Sequence, residues 1–240
     1  MAAFDDHLRR SQSAMYVQAN QLVFDLHRRA PLDVFELLQD LIAGAAQSVP
    51  GARHAGITVV QPRRPAETVA RSDQYPVVLD EIRNECDQGP CLAAAESQET
   101  IRVDDVARDS RWPTYCQEVL ARTPIRSVIS LAMLREGSTA ASLNLFGDHA
   151  HAFDDLSVHI GLTFASHAAL AWMMMRRDQQ FRAALVSRDL IGQAKGRMME
   201  RYAIDAVEAF ETLKLMSQDS NTPLAAVAQR VVAGDDWPPR

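Results

Sequence analysis

Ile191-Gly192-Gln193-Ala194-Lys195-Gly196-Arg197-Met198-Met199 holds two glycines four residues apart in a run with no proline or turn cluster. Such a run reads as helix, and Arg188, Gly192 and Lys195, spaced i, i+4 and i+7, then share one face with Gly196 and Met199 beside it. Glycines at that spacing permit another backbone to come very close, and the flanking cations suit phosphate. The same spacing also serves tight helix packing with solvated cations. On helical spacing alone the packing reading is the stronger.

Downstream, the chain carries clear starts and stops. Asp205 can cap a helix, with Glu208 three residues on to close a capping box. Ala206, Ala209, Phe210, Leu213 and Met216 then form one apolar stripe. Thr222-Pro223 offers a capping hydroxyl with proline in the first turn, Leu224, Val227, Ala228 and Val231 face inward, and Gly234 is a stop. The spacing predicts three helices, 179–202, 205–218 and 223–233, around a small core of Phe210 and Leu213.

The run Ala194-Lys195-Gly196, with Ala209-Phe210-Glu211-Thr212-Leu213, Ser217-Gln218 and Asn221, resembles the ANTAR module, a helical RNA-binding domain of bacterial transcription antiterminators. The resemblance covers residues 182–233. It implies phosphate contacts from Arg188, Lys195 and Arg201, while Gln193, Ala194, Gly196, Ser217, Gln218 and Asn221 shape or read an RNA loop. Ser217, Asn221 and Thr222 serve equally well as caps at helix ends. Many members carry a basic residue where this chain has Pro223, and another near Ala225 or Ala226, which implies a less basic site here.

Upstream of the module the apolar period changes several times. Residues 5–28 read as a helix ended by Pro31, and Val34, Leu37, Leu38, Leu41, Ile42 and Ala45 mark a second, amphipathic one. Short β-branched runs predict strands at 54–60, 67–72, 100–103, 127–134 and 140–146, with helices at 76–86 and 114–121. A long closing helix from Phe153 to Met175 has nothing to stop it before Ala194. Its imperfect heptad at 170, 174, 177, 181, 184, 188, 191, 195 and 198 suits either pairing across a dimer or packing on its own domain.

Three motifs within residues 85–155 resemble a GAF sensor domain of the kind fused to ANTAR: Gly89-Pro90-Cys91; Asp104 to Asp109 leading into Arg111-Trp112-Pro113; and Leu143-Asn144-Leu145-Phe146 before Ala152-Phe153-Asp154. The expected fold class is α+β: a mostly antiparallel sheet with flanking helices, followed by an all-α three-helix module. The expected divisions are an N-terminal helix at 1–30, the GAF domain at 31–175 and the ANTAR domain at 176–240.

Charge divides the same way. Residues 1–175 hold 15 arginines, no lysine and 22 acidic residues, a net −7, whereas residues 176–240 hold 10 basic and 9 acidic residues, a net +1. The tail is competent for phosphate contacts while the bulk is acidic. No stretch approaches ~20 uninterrupted apolar residues and the N-terminus has no signal-peptide layout, so the expectation is a cytoplasmic chain without a membrane partner.

Enzyme chemistry has thin support. Cys86, Cys91 and Cys116 are few and odd in number, as in a reduced compartment. Cys86 and Cys91 are candidate redox thiols, in the manner of the GAF-type free methionine sulfoxide reductases, but no base or lysine beside them is visible to lower a thiol pKa. His149-x-His151 with Asp148 lacks zinc-site spacing and reads as a loop. His54 opens a strand and is a candidate pocket ligand for haem or another group. Walker, GxGxxG and GxSxG motifs are absent, and with no lysine before Lys195 the cyclic-nucleotide GAF signature cannot be complete.

The expected function is therefore non-enzymatic: a GAF-controlled antitermination regulator, as a homodimer, that binds stem-loop RNA in a nascent transcript. The sensor ligand and any cofactor are unknown. Alternatives are a GAF-based thiol sensor or methionine-sulfoxide-reductase-like enzyme, and a DNA-binding transcription factor.

Overall fold

Alternation along one strand sets the architecture of the first part of the chain. In Thr139–Gly147, Ala141, Leu143 and Leu145 join one apolar cluster while Ser142 and Asn144 alternate with them and are equally buried. Successive strand residues point to opposite faces, so this strand has two covered faces of different character.

The computed structural model describes residues 34–234, together with Ala14, Met15, Val17, Asn20, Gln21, Val23 and Phe24, which are helical. Most of the helix expected at 5–28 lies outside the described residues. Contacts divide the chain into two units, residues 1–175 and 176–240.

The first unit runs α1 (Val34–Ser48), β1 (His54–Val60), β2 (Glu67–Arg71), α2 (Tyr75–Cys86), α3 (Pro90–Ser97), β3 (Ile101–Val103), α4 (Pro113–Arg122), β4 (Ser127–Glu136) and β5 (Thr139–Gly147), then the opening part of α5 (Asp155–Tyr202). The strands form one antiparallel sheet in the order β2-β1-β5-β4-β3. All five expected strands are present. The segment 88–95, to which the sequence assigned no helix, is helical from Pro90, because proline suits a first turn where its missing N–H costs nothing.

The apolar face of the sheet packs on two helices. From α1 come Leu37, Leu38, Leu41, Ile42 and Ala45; from α5 come Ile160, Phe164, Ala168 and Trp172, at the four-residue spacing of one helix face. Gly161 lets α5 settle onto the sheet, since a Cβ there would stand 2.7 Å from Leu131 and 3.0 Å from Leu145. α5 is long and apolar enough by composition to cross a membrane, but this stripe is buried against the sheet.

The opposite face is covered by α2, α3 and α4 and mixes apolar and polar groups. Leu79, Ile82, Val103, Tyr115, Val119 and Phe146 form its cluster. Beside them Asn144 donates to the Thr58 hydroxyl at 2.9 Å, Thr58 donates to Asp80 at 3.0 Å, and Thr68 donates to Asp80 at 2.5 Å. Buried polar groups need such partners. Burial pushes the Asp80 carboxyl up to about 6, against the lowering pull of the Thr68 and Thr58 hydroxyls and of Arg83.

That shift has a definite sign. Between the ordinary carboxylate value and about 6 the folded state holds the Asp80 proton and the unfolded state does not, so this group's contribution to stability falls as pH rises through that window. Asp80→Asn is expected to gain stability relative to the parent as pH rises from about 4 to about 6. Denaturant midpoints of the two proteins across that range check it.

The loop motif after β3 also has a structural use. Arg126 donates to Asp105 at 2.9 Å and holds that carboxyl below its usual range. Arg111 pairs with Asp109 at 2.5 Å, donates to the Arg102 carbonyl at 2.8 Å and lies over the Trp112 ring at 4.5 Å.

Candidate nucleic-acid interface

The second unit is built from the remainder of α5, α6 (Ala206–Asp219) and α7 (Leu224–Ala233). α5 runs without a break through Ile191 to Met199. At the start of α6 the capping box is complete: Asp205 accepts from Val207 N–H at 2.8 Å and Glu208 N–H at 2.9 Å, and Glu208 accepts from Asp205 N–H at 3.2 Å. Such a cap contributes about 1 kcal/mol. Gly234 ends α7 at φ 85°, with its N–H on the Arg230 carbonyl.

Thr222 departs from its expected capping role. Its hydroxyl donates back to the Ser220 carbonyl at 3.1 Å, and α7 begins after Pro223 with no side-chain cap. The tight α6–α7 turn takes up the hydroxyl first. The expected core is also redistributed: Leu213 is fully buried with Ala194, Met198, Ala209, Met216, Val227 and Ala228, whereas Phe210 remains only partly buried. Phe210 lies beneath Lys195, whose Nζ is 5.9 Å from the ring centroid. A cation over an aromatic face at the surface is attracted to it by about 0.5–1 kcal/mol.

The named residues fall into three groups. Ala194 is fully buried, so it sets how closely α6 approaches α5 and offers no surface. Ser217 and Asn221 build the turn: Ser217 donates to the Thr222 carbonyl at 2.6 Å, and Asn221 sits at φ 47°, a left-handed conformation that asparagine tolerates better than most residues. The exposed group comprises Arg188, Gln193, Gly196, Arg201 and Gln218, with Lys195 half-buried beside them.

The glycines resolve the ambiguity of their spacing. A Cβ placed on Gly192 or Gly196 would meet nothing within 4 Å, so neither serves helix packing among the described residues. Each nonetheless costs roughly 1 kcal/mol relative to alanine in a helix interior. They keep part of an exposed helix face bare of side chains. Arg188 and Lys195 flank it, as do the exposed acids Asp189 and Glu200, which moderates its positive potential. Arg197 was not singled out in the sequence. It reaches the carbonyls of Val231 and Val232, closing the last turn of α7 as cations at a helix C-terminus do.

The first unit's titratable groups are less suited to chemistry. Burial pushes the Cys91 thiol up to about 12 and Cys116 up to about 11. Cys86 is also raised, by burial and then by Glu118 and Glu85. A redox thiol needs the opposite shift. His54 is clamped, with Nδ1 2.7 Å from Asp73, Nε2 3.0 Å from Asp148, and its ring edge-on to Tyr75. Among the described residues no group of three or more His, Cys, Asp and Glu side chains is placed to hold a metal ion.

A helix-flanked antiparallel sheet followed by a capped helical unit with an open, glycine-bared face defines a sensor-type domain joined to a small helical module. Residues 31–173 match the GAF domain family and residues 179–232 match the ANTAR domain. The chain belongs to the GAF domain family and has the GAF–ANTAR architecture.

Solved structures agree on the sheet-bearing fold. The GAF domain of a phosphoenolpyruvate-protein phosphotransferase from Coxiella burnetii is 14% identical, with a TM-score of 0.52 over 70% of this chain and 96% of that one. An N-acylhomoserine lactone dependent LuxR family transcription factor from Burkholderia cenocepacia is 17% identical, with a TM-score of 0.53 over 69% of this chain and 99% of that one. At such identities the likeness is one of fold alone. Among curated proteins none matches the chain.

Proposed function

We propose that this chain is a cytoplasmic antitermination regulator whose ANTAR domain binds stem-loop RNA in a nascent transcript under the control of its GAF domain. The observation that carries this reading is the bare α5 face. A Cβ on Gly192 or Gly196 would meet nothing within 4 Å among the described residues, yet both glycines lie on an exposed stretch of helix beside Arg188 and Lys195. A backbone that costs stability and packs against nothing of its own is shaped for another molecule. Gln193 and Gln218 are exposed amides able to read unstacked bases in a loop. A protein that holds one RNA fold and not its competitor shifts their populations by its differential affinity, which is all that antitermination requires.

A dimer fits the same reading. Leu170 and Met174 in the first unit, and Phe181 and Leu185 in the second, are large apolar side chains left exposed on α5 at spacings of four, seven and four, which suit pairing with a second copy. Two modules on one transcript would raise effective concentration for paired loops. The raised thiol values count against the redox alternatives, and no feature of the described residues favours duplex DNA over RNA.

The electrostatic share of binding is small. With Arg188, Lys195 and Arg201 as phosphate contacts, the logarithm of affinity for hairpin loops should fall against the logarithm of salt concentration with a slope of about −2 per module. Lys195→Ala should bring it closer to about −1.4. Fluorescence anisotropy on a labelled hairpin across a salt series tests this. A slope that Lys195→Ala leaves unchanged removes Lys195 from the interface.

A further inference from the structure

The first unit contains a cleft of about 640 Å³ between the loop after β1, the end of α2, α3 and the β4–β5 turn. That is the size of a small-molecule site. Its charge is unusual for an acidic unit: Arg63, Arg64, Arg83 and Arg135 line it, against Asp87 and Glu96. Among the described residues none of the four arginines makes an ion pair, although other arginines of the same unit do, Arg102, Arg111, Arg122 and Arg126 among them. Arg64 donates to the Gln61 side chain at 3.4 Å and Arg135 to the Glu96 carbonyl at 3.2 Å, both neutral acceptors.

Arg83 is the deepest of them, only 6% exposed. Its Nη1 donates to Asn84 Oδ1 at 2.6 Å, and Asn84 is itself fixed by the Ala66 N–H at 2.7 Å and the Ala66 carbonyl at 3.0 Å. Its Nε is buried with no hydrogen-bond partner. Asp80, one turn earlier on α2, is near enough for Arg83 to lower its carboxyl but beyond ion-pair distance, and that carboxyl is held by the Thr58 and Thr68 hydroxyls. A buried guanidinium with an unmet donor is costly unless a partner completes it, and three exposed arginines without ion pairs share its cleft.

We propose that this cleft binds a small organic anion through a carboxylate or phosphate group, with Arg83 as the buried anchor and Arg64 and Arg135 at the rim. The planar fork of arginine suits either oxyanion, and charge-assisted bonds to it are the strong ones. This assigns a ligand class to the sensor domain. It rests on the reading of the first unit as a sensor and stands apart from RNA binding.

Titration calorimetry of the full chain with inorganic phosphate and with succinate separates the two sources, with sodium chloride and neutral succinamide as controls. At least one of the two anions is expected to bind saturably, and neither control to do so. Arg83→Met, with a native circular dichroism spectrum, is expected to raise the dissociation constant at least ~tenfold. Should that variant fail to fold, Arg64→Gln with Arg135→Gln, both exposed, carries the test and is expected to weaken binding at least ~fivefold. No saturable anion binding by the parent, or unchanged affinity in the folded variant, overturns the proposal. Hairpin binding measured on the same proteins without anion keeps the two readings separate, because loss of either leaves the other standing.

Discussion

Gly196→Ala is expected to make the helical unit more stable and worse at binding RNA, and Gly192→Ala to do the same. The added methyl meets nothing within 4 Å in either case, so no clash opposes the gain in helix propensity. That gain is roughly 1 kcal/mol for each site, or about 4–8 °C in the melting temperature of a unit this small. If an RNA backbone lies against the bared face, the same methyl intrudes at the contact and affinity should fall by about tenfold or more. Calorimetry and anisotropy on a hairpin selected from a randomised-loop library measure the two effects together. Were the glycines simply solvated, stability would rise and affinity would stay unchanged.

Leu213→Ala is expected to act through folding. Leu213 is fully buried among Ala194, Met198, Ala209 and Met216. Truncating such a leucine costs about 2–5 kcal/mol. A unit of residues 176–240 has little core to spare, since small domains bury a low fraction of their surface. The helical unit should lose its cooperative melting transition and its hairpin binding, while anion binding by the first unit persists. Circular dichroism and the two titrations check this, and hairpin binding retained at parental affinity contradicts the placement of Leu213 in the core.

The sequence made the local structure legible and left the tertiary consequences open. Asp205 and Glu208 announce a capping box, and Gly234 a stop, because those signals act within four residues. The strands show through β-branched runs between turns. Burial does not follow so directly: Phe210 and Leu213 share a stripe, but only the structure shows Leu213 inside and Phe210 under a lysine. Likewise Thr222 has the composition of a cap, and a three-dimensional turn diverts its hydroxyl to Ser220.

The candidate sites divide similarly. The spacing of Gly192 and Gly196 poses a choice between packing and approach by another molecule, and only the empty space above them decides it. The polar face of the sheet has a readable trace in the alternation of Ser142 and Asn144 with Leu143 and Leu145. The arginine cleft has none. Its four cations come from three separate segments, and one of them, Arg83, matters through burial that no linear spacing encodes.

The central claim is that the helical unit reads looped RNA, and crosslinking of the full chain in cells, followed by sequencing of the bound nucleic acid, tests it most directly. The account predicts enrichment of stem-loops in transcript leaders next to a terminator hairpin, with that enrichment lost in Lys195→Ala. Recovery of duplex DNA, or of RNA no more structured than the Lys195→Ala background, would contradict it.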